Sequence, residues 1–180
     1  MTHYFVAIPI PYDTVREPLK KASAYYDLSS HYKVIPHPDD LHITLLFFGA
    51  LTPLQLEFVK QELEGIAKNR ASFTVTIDGL SYFGNPTGPR VVYLSVQPGL
   101  QLTELYQELG KRLEPILQKP ASSEYIPHIT IAKKKKENNT HPIKTGHFSP
   151  LLHSVKGITL FSIDSACSPK YQPVQTFSFD

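Results

Sequence analysis

Leu41-His-Ile-Thr-Leu-Leu-Phe-Phe-Gly49 and Pro127-His-Ile-Thr-Ile-Ala-Lys133 are two versions of one phrase, their histidines 86 positions apart in a chain of 180 residues. In an extended chain the side chains at i and i+2 share a face. His42 and Thr44 therefore point one way and Ile43 and Leu45 the other, and His128 and Thr130 are set against Ile129 and Ile131 in the same manner. Each phrase predicts a strand whose apolar face packs on helices. Its polar face, an imidazole and a hydroxyl, looks into water or a cleft. A spacing near half the chain length, with a helix before and strands after each copy, points to two similar halves. If a pseudo-twofold relates them, two imidazoles and two hydroxyls converge from opposite sides of one cleft.

Working outward, Tyr4 to Ile10 reads as an opening strand, followed by a helix over Thr14 to Tyr26 with Asp13 as its N-cap. Thr52-Pro53 begins a second helix, with Thr as cap, Pro in the first helical position and Leu54, Phe58, Leu63 and Ile66 on its apolar side. Phe73 to Leu80 alternates as a half-buried strand, Phe83 to Pro89 is turn chemistry, and Arg90 to Val96 is the next strand. A helix over Leu100 to Leu117 faces Leu102, Leu105, Leu109 and Leu113 inward. Lys133 to Pro142 reads as a polar, basic loop, and Gly157 to Ser165 and Pro173 to Phe179 close the chain as strands. The pattern is α+β: a single domain over 1–180 made of two lobes, approximately 1–85 and 86–180, with room for strand exchange between them.

Apolar residues make up 41% of the chain, and 10 Phe and 10 Tyr supply aromatic core, which excludes a disordered chain. A net charge of +2 is too slight to draw in nucleic acid by long-range attraction alone. One cysteine, Cys167, makes neither an internal disulfide nor a thiolate metal cage, so a reducing, cytoplasmic setting is expected. The longest apolar run, Ile43 to Leu51, is far short of the ~20 residues of a membrane span.

Two imidazoles and two hydroxyls suit phosphoryl transfer at a diester. A neutral histidine takes a proton from water while a protonated one gives a proton to the leaving ribose oxygen, and an ordinary pKa near 6.5 allows both roles. Threonine hydroxyls donate to the non-bridging phosphate oxygens. The carboxylates do not cluster in a way that calls for a metal.

The paired His-x-Thr phrases resemble those of the two-histidine (2H) phosphoesterases, and within them the bacterial and archaeal RNA 2′,3′-cyclic phosphodiesterases, historically called 2′-5′ RNA ligases. Tyr4-Phe-Val-Ala-Ile8, the first phrase through Gly49, Phe83-Gly-Asn-Pro86, Pro89 to Leu94 and the second phrase carry the resemblance. The second phrase ends in Lys133 where the family often has Arg. The C-terminal segment offers Ser165 and Tyr171, with Ser168-Pro169-Lys170 in a turn where relatives place glycine. The resemblance implies a bilobal fold of two antiparallel sheets around a central cleft with helices outside. It also implies hydrolysis of RNA 2′,3′-cyclic phosphate ends to 2′-phosphates without cofactor or metal, by a monomer with no obligate protein partner and no membrane. On this basis His42 and His128 are the acid–base pair and Thr44 and Thr130 hold the phosphate. A nucleotide- or RNA-binding module without turnover, and 2′-5′ ligation as the reverse activity, are the alternatives.

Five further residues are candidates for substrate contact. Arg90 begins a strand facing the expected cleft. Lys133 opens a four-lysine run suited to RNA phosphates through counterion release. Phe48 and Tyr125 flank the phrases and suit base stacking, and Tyr171 comes with the family's C-terminal segment. Asp39-Asp40 reads as turn chemistry.

Overall fold

The computed structural model describes residues 1–136 and 140–180. In chain order it runs β1 (His3–Pro9), α1 (Tyr12–Tyr25), α2 (Leu28–His31), β2 (Tyr32–Val34), β3 (His42–Ala50), α3 (Pro53–Lys68), β4 (Phe73–Phe83), β5 (Val91–Val96), α4 (Leu100–Arg112), β6 (His128–Lys135), β7 (Gly146–Val155), β8 (Gly157–Ile163) and β9 (Tyr171–Ser178). The α+β pattern expected from the sequence is the one observed, and no helix among the described residues is long and apolar enough to cross a membrane.

Local chemistry explains most boundaries. Thr52 caps α3 in a full capping box: its hydroxyl accepts from the Gln55 N–H at 3.2 Å, and the Gln55 side chain accepts from the Thr52 N–H at 3.0 Å. Helix α4 stops at Arg112 and gives way to a 3₁₀ turn at Glu114–Ile116, because Pro115 has no N–H and its ring would collide with a helical carbonyl. Asp13 does not cap α1. Pro11 holds that position and the Asp13 carboxylate pairs with Arg16, one turn on. The buried stripe of α3 is Val59, Leu63, Ile66 and Ala67, while Leu54 stays 82% exposed at the open first turn.

β7 was not legible as a strand because Pro150 interrupts it. It lies at the sheet edge, where a missing N–H leaves no ladder bond unmade. The expected basic loop is also corrected in part. Lys133–Lys135 complete β6, where Lys135 and Lys133 pair with Tyr32 and Val34 of β2. Residues 137–139 of that stretch lie outside the described residues.

Among the described residues the strands form one nine-stranded sheet in the order β7-β4-β5-β6-β3-β1-β8-β9, with β2 added beside β6. The two separate sheets expected are therefore joined, at the antiparallel pair Ile43–Ile129 between β3 and β6. Outward from that seam the order is the same on both sides in kind: histidine strand, lobe-opening strand, exchanged strand, proline-bearing edge strand. β4 follows β3 in the chain yet pairs with β5, and β8 follows the β6 side yet pairs with β1. Each side of the sheet is thus completed by a strand from the other half. The sheet's apolar face, including Ile43, Leu45, Ile129 and Ile131, joins Leu63, Ile66, Leu105 and Leu109 of the helices in the main core. The opposite face carries the histidines.

Candidate active site

At the seam, Ile43 and Ile129 face each other across an antiparallel ladder, so their neighbours in sequence turn to the other face. Counting antiparallel from that pair sets His42 level with Thr130 and Thr44 level with His128. The four phrase residues are partly buried, whereas Ile43 and Ile129 are wholly buried. The convergence expected from the repeat is what the strand pairing produces.

Both imidazoles are oriented alike. The Nδ1–H of His42 donates to the backbone carbonyl of Asp40 at 2.6 Å, and that of His128 donates to the carbonyl of Ile126 at 2.8 Å. A carbonyl only accepts, so each ring carries its neutral-state proton on Nδ1 and turns Nε2 toward the cleft. The Thr44 hydroxyl lies 2.9 Å from His42 Nε2. Aromatic walls hold the rings: Phe5 and Tyr171 lie 5.1 Å from His42 by ring centroids, and Phe83 and Tyr93 lie 4.9 and 5.0 Å from His128.

Burial dominates the electrostatics. It pushes His42 down to about 4, helped by the nearby Lys133 and His128 and opposed by the bond to the Asp40 carbonyl. His128 is lowered as well, again chiefly by burial. Lys133 is brought down to about 8 by burial, by the charge and hydrogen-bonding contact of Lys170, and by Lys134. Near neutral pH both imidazoles are therefore neutral.

A β-bulge just after each His-x-Thr phrase decides which side chains reach this face, and β3 carries a further one at Phe48, between the pairs Tyr4–Gly49 and Phe5–Phe47. Along β3, Val6 pairs with Leu46 and Ala7 with Thr44, so Leu45 is an extra residue. Along β6, Val92 pairs with Ala132 and Tyr93 with Thr130, so Ile131 is extra. Beyond each bulge the alternation changes parity. Lys133, at an odd separation from His128, is thereby carried to the histidine face, near enough to His42 to lower its pKa. Phe48 moves the other way. It is 1% exposed in the main core, so the expected base stacking is corrected, and Phe47, 55% exposed, takes the position equivalent to Lys133. The signal was in the sequence: paired apolar residues, Leu45-Leu46 and Ile131-Ala132, break strict alternation.

Tyr171 is at the site, its ring edge against His42. Tyr125 serves as a strut, its hydroxyl donating to the Thr44 carbonyl at 2.9 Å and its ring stacked on Tyr106 at 3.9 Å. That stack occupies one of its faces. Arg90 is exposed at the end of the β4–β5 turn, its N–H donating to the Phe83 carbonyl and its carbonyl accepting from Lys134. Asp40 was missed as a site residue. Only 5% exposed, it accepts the backbone N–H groups of Lys170 and Tyr171 on its two carboxylate oxygens, at 3.0 Å each, while its carbonyl orients His42. Among the described residues no three His, Cys, Asp or Glu side chains gather in a way that could hold a metal ion.

A family model described as the 2′-5′ RNA ligase superfamily matches residues 11–166. A protein of Bacillus subtilis named RNA 2′,3′-cyclic phosphodiesterase is 27% identical over 179 residues, covering 97% of this chain and 95% of its own length. A protein of the same name from Geobacillus stearothermophilus is 26% identical over 179 residues, and there the match covers 98% of this chain but 57% of the relative. Among solved structures, a Thermus thermophilus protein superposes with a TM-score of 0.80 at 26% identity, covering 98% of this chain and 97% of that one. LigT of Escherichia coli, solved with 3′-AMP, superposes with a TM-score of 0.79 at 23% identity over 99% and 98% of the two chains, a likeness of fold.

Proposed function

The chain belongs to the 2′-5′ RNA ligase superfamily, and we propose on that premise that it hydrolyses RNA 2′,3′-cyclic phosphate ends to 2′-phosphomonoesters by acid–base catalysis between His42 and His128. The observation that carries this is the pair of Nε2 atoms turned into one cleft, each by an Nδ1–H bond to a backbone carbonyl two residues before it.

A cyclic phosphate seated over the seam lies between the two rings. Its negative charge favours the imidazolium form and so raises one imidazole from its depressed value. The neutral imidazole takes a proton from water as the water oxygen bonds to phosphorus. The bond from phosphorus to the 3′-oxygen breaks, and the imidazolium gives its proton to that oxygen. The charge developing on the non-bridging oxygens is met by the Thr44 and Thr130 hydroxyls and by the Lys133 ammonium. Asp40 and Ile126 hold the ring planes, so little reorganisation accompanies the reaction. Nothing in this sequence of proton transfers requires a metal-bound water.

The test is direct. A short RNA ending in a 2′,3′-cyclic phosphate is incubated with the protein, with and without EDTA, and the product terminus is identified. A 2′-phosphate formed at equal rates in both samples supports the reading. A 3′-phosphate, no turnover, or loss of activity on chelation overturns it.

A further inference from the structure

We propose that Lys170 and Lys133 form a second phosphate site at the His42 edge of the cleft, which takes a non-reacting phosphate: the one on the 5′-oxygen of the terminal nucleotide. The proposal rests on the reading above and narrows its substrate to ends that carry that phosphate.

Lys170 stands in the turn between β8 and β9, 37 positions from Lys133. Its position is set on two sides. The backbone N–H is held at 3.0 Å by the buried Asp40 carboxylate, and the ammonium lies 4.9 Å from the Tyr171 ring centre, over its face. Tyr171 is in turn fixed by its own N–H bond to Asp40 and by edge contacts with Phe5 and His42. The partly buried ammonium of Lys133 reaches the same place from β6, because the bulge at Ile131 turns it to this face.

Burial and, after it, the charge of the neighbouring Lys170 bring Lys133 down to about 8, so the two lysines repel one another. The nearby Asp40 carboxylate attracts Lys133 but is the smallest of the influences on it, so it offsets the repulsion only in part. An anion between the two lysines offsets that repulsion and favours the charged form of Lys133. The cations also form a series. Lys133 is near enough to act on His42, whereas the Lys170 ammonium lies 4.9 Å from the centre of the Tyr171 ring, itself 5.1 Å from the His42 ring, and so stands one aromatic ring away from the imidazole. Charge therefore leads away from the reacting centre, as it must to follow a strand from its reacting phosphate to the next one.

The experiment compares adenosine 2′,3′-cyclic phosphate with the same nucleotide bearing a 5′-phosphate, in wild type, Lys170→Ala and Lys170→Arg. Wild type should favour the 5′-phosphorylated substrate about tenfold in kcat/KM at low salt. Lys170→Ala should lose most of that preference, its loss falling mainly on the phosphorylated substrate, and Lys170→Arg should retain it. The salt slope for the phosphorylated substrate should fall by about one in the alanine variant. Binding of adenosine 2′,5′-bisphosphate against adenosine 2′-phosphate, measured by calorimetry, makes the same comparison without turnover and so separates failure here from failure of the hydrolase reading. Equal affinity for the two ligands in wild type, or an equal loss on both in Lys170→Ala, overturns the second site. Because Asp40 holds only the backbone of residue 170, the alanine variant keeps the turn's anchor.

Discussion

Asp40 and Tyr171 are 131 positions apart, yet the buried carboxylate of Asp40 accepts the Tyr171 N–H at 3.0 Å. The same residue's carbonyl holds the His42 ring. One side chain and its own backbone thus tie the closing turn of the chain to the first imidazole. Asp40→Ala removes two charge-assisted bonds, each worth ~1.5–3 kcal/mol when intact. It should destabilise the protein by about 3 kcal/mol or more in urea unfolding and lower kcat/KM at the same time. Unchanged unfolding in Asp40→Ala would show that the closing turn stands without it.

His42→Ala and His128→Ala should each reduce turnover by ~10²–10⁴, the usual contribution of a positioned proton carrier. Both should fold, since these side chains line the face opposite the main core. Thr44→Val and Thr130→Val should be milder, by ~1.5–3 kcal/mol of lost hydrogen bonding to a charged acceptor. Steady-state rates beside circular dichroism check both points, and near-normal turnover in a folded histidine variant sinks the acid–base assignment.

The rate should peak in acid. For kcat/KM the base must be neutral, giving a limb that rises with pH through its pKa, and the acid must be protonated, giving a limb that falls. In the free protein one imidazole is at about 4 and the other below 6.5. The bell for kcat/KM therefore centres below pH 6.5, and the bell for kcat lies higher because bound phosphate raises an imidazole. The limbs belong to the pair, since the rings interact. A kcat/KM still rising at pH 8 contradicts the arrangement.

Stability should fall over the same range. An unfolded histidine takes up a proton near pH 6.5, while folded His42 resists protonation until about 4. Between those values the unfolded state binds more protons, so stability is lost as pH drops from 6.5 toward 4. Urea midpoints at pH 7 and pH 5 should converge in His42→Gln relative to wild type. An identical drop in both proteins would remove His42 as a source of the acid sensitivity.

The bulge at Leu45 decides which of two neighbouring phenylalanines enters the core. Phe48→Ala should cost ~3–5 kcal/mol as a core deletion. Phe47→Ala, at an exposed position, should change stability by less than about 1 kcal/mol. The reverse order of costs would mean that the alternation runs unbroken from His42 to Phe48, which would put Phe47 in the core.

The sequence alone determined that the chain is α+β, that two strands carry His42-x-Thr44 and His128-x-Thr130, and that each presents its polar pair on one face. Those properties are local. They follow from side-chain alternation, caps such as Thr52, and helical spacing such as Leu102, Leu105 and Leu109. Only the tertiary structure decided that Ile43 meets Ile129, that β4 and β8 cross between the halves, and that Asp40 reaches the turn at Lys170 and Tyr171. It also decided that Phe47 and Lys133, and not Phe48, share the histidine face. These are outcomes of pairing between distant segments. A one-residue bulge reverses the parity of every side chain beyond it, and whether the ladder takes one depends on the partner strand as much as on the strand itself.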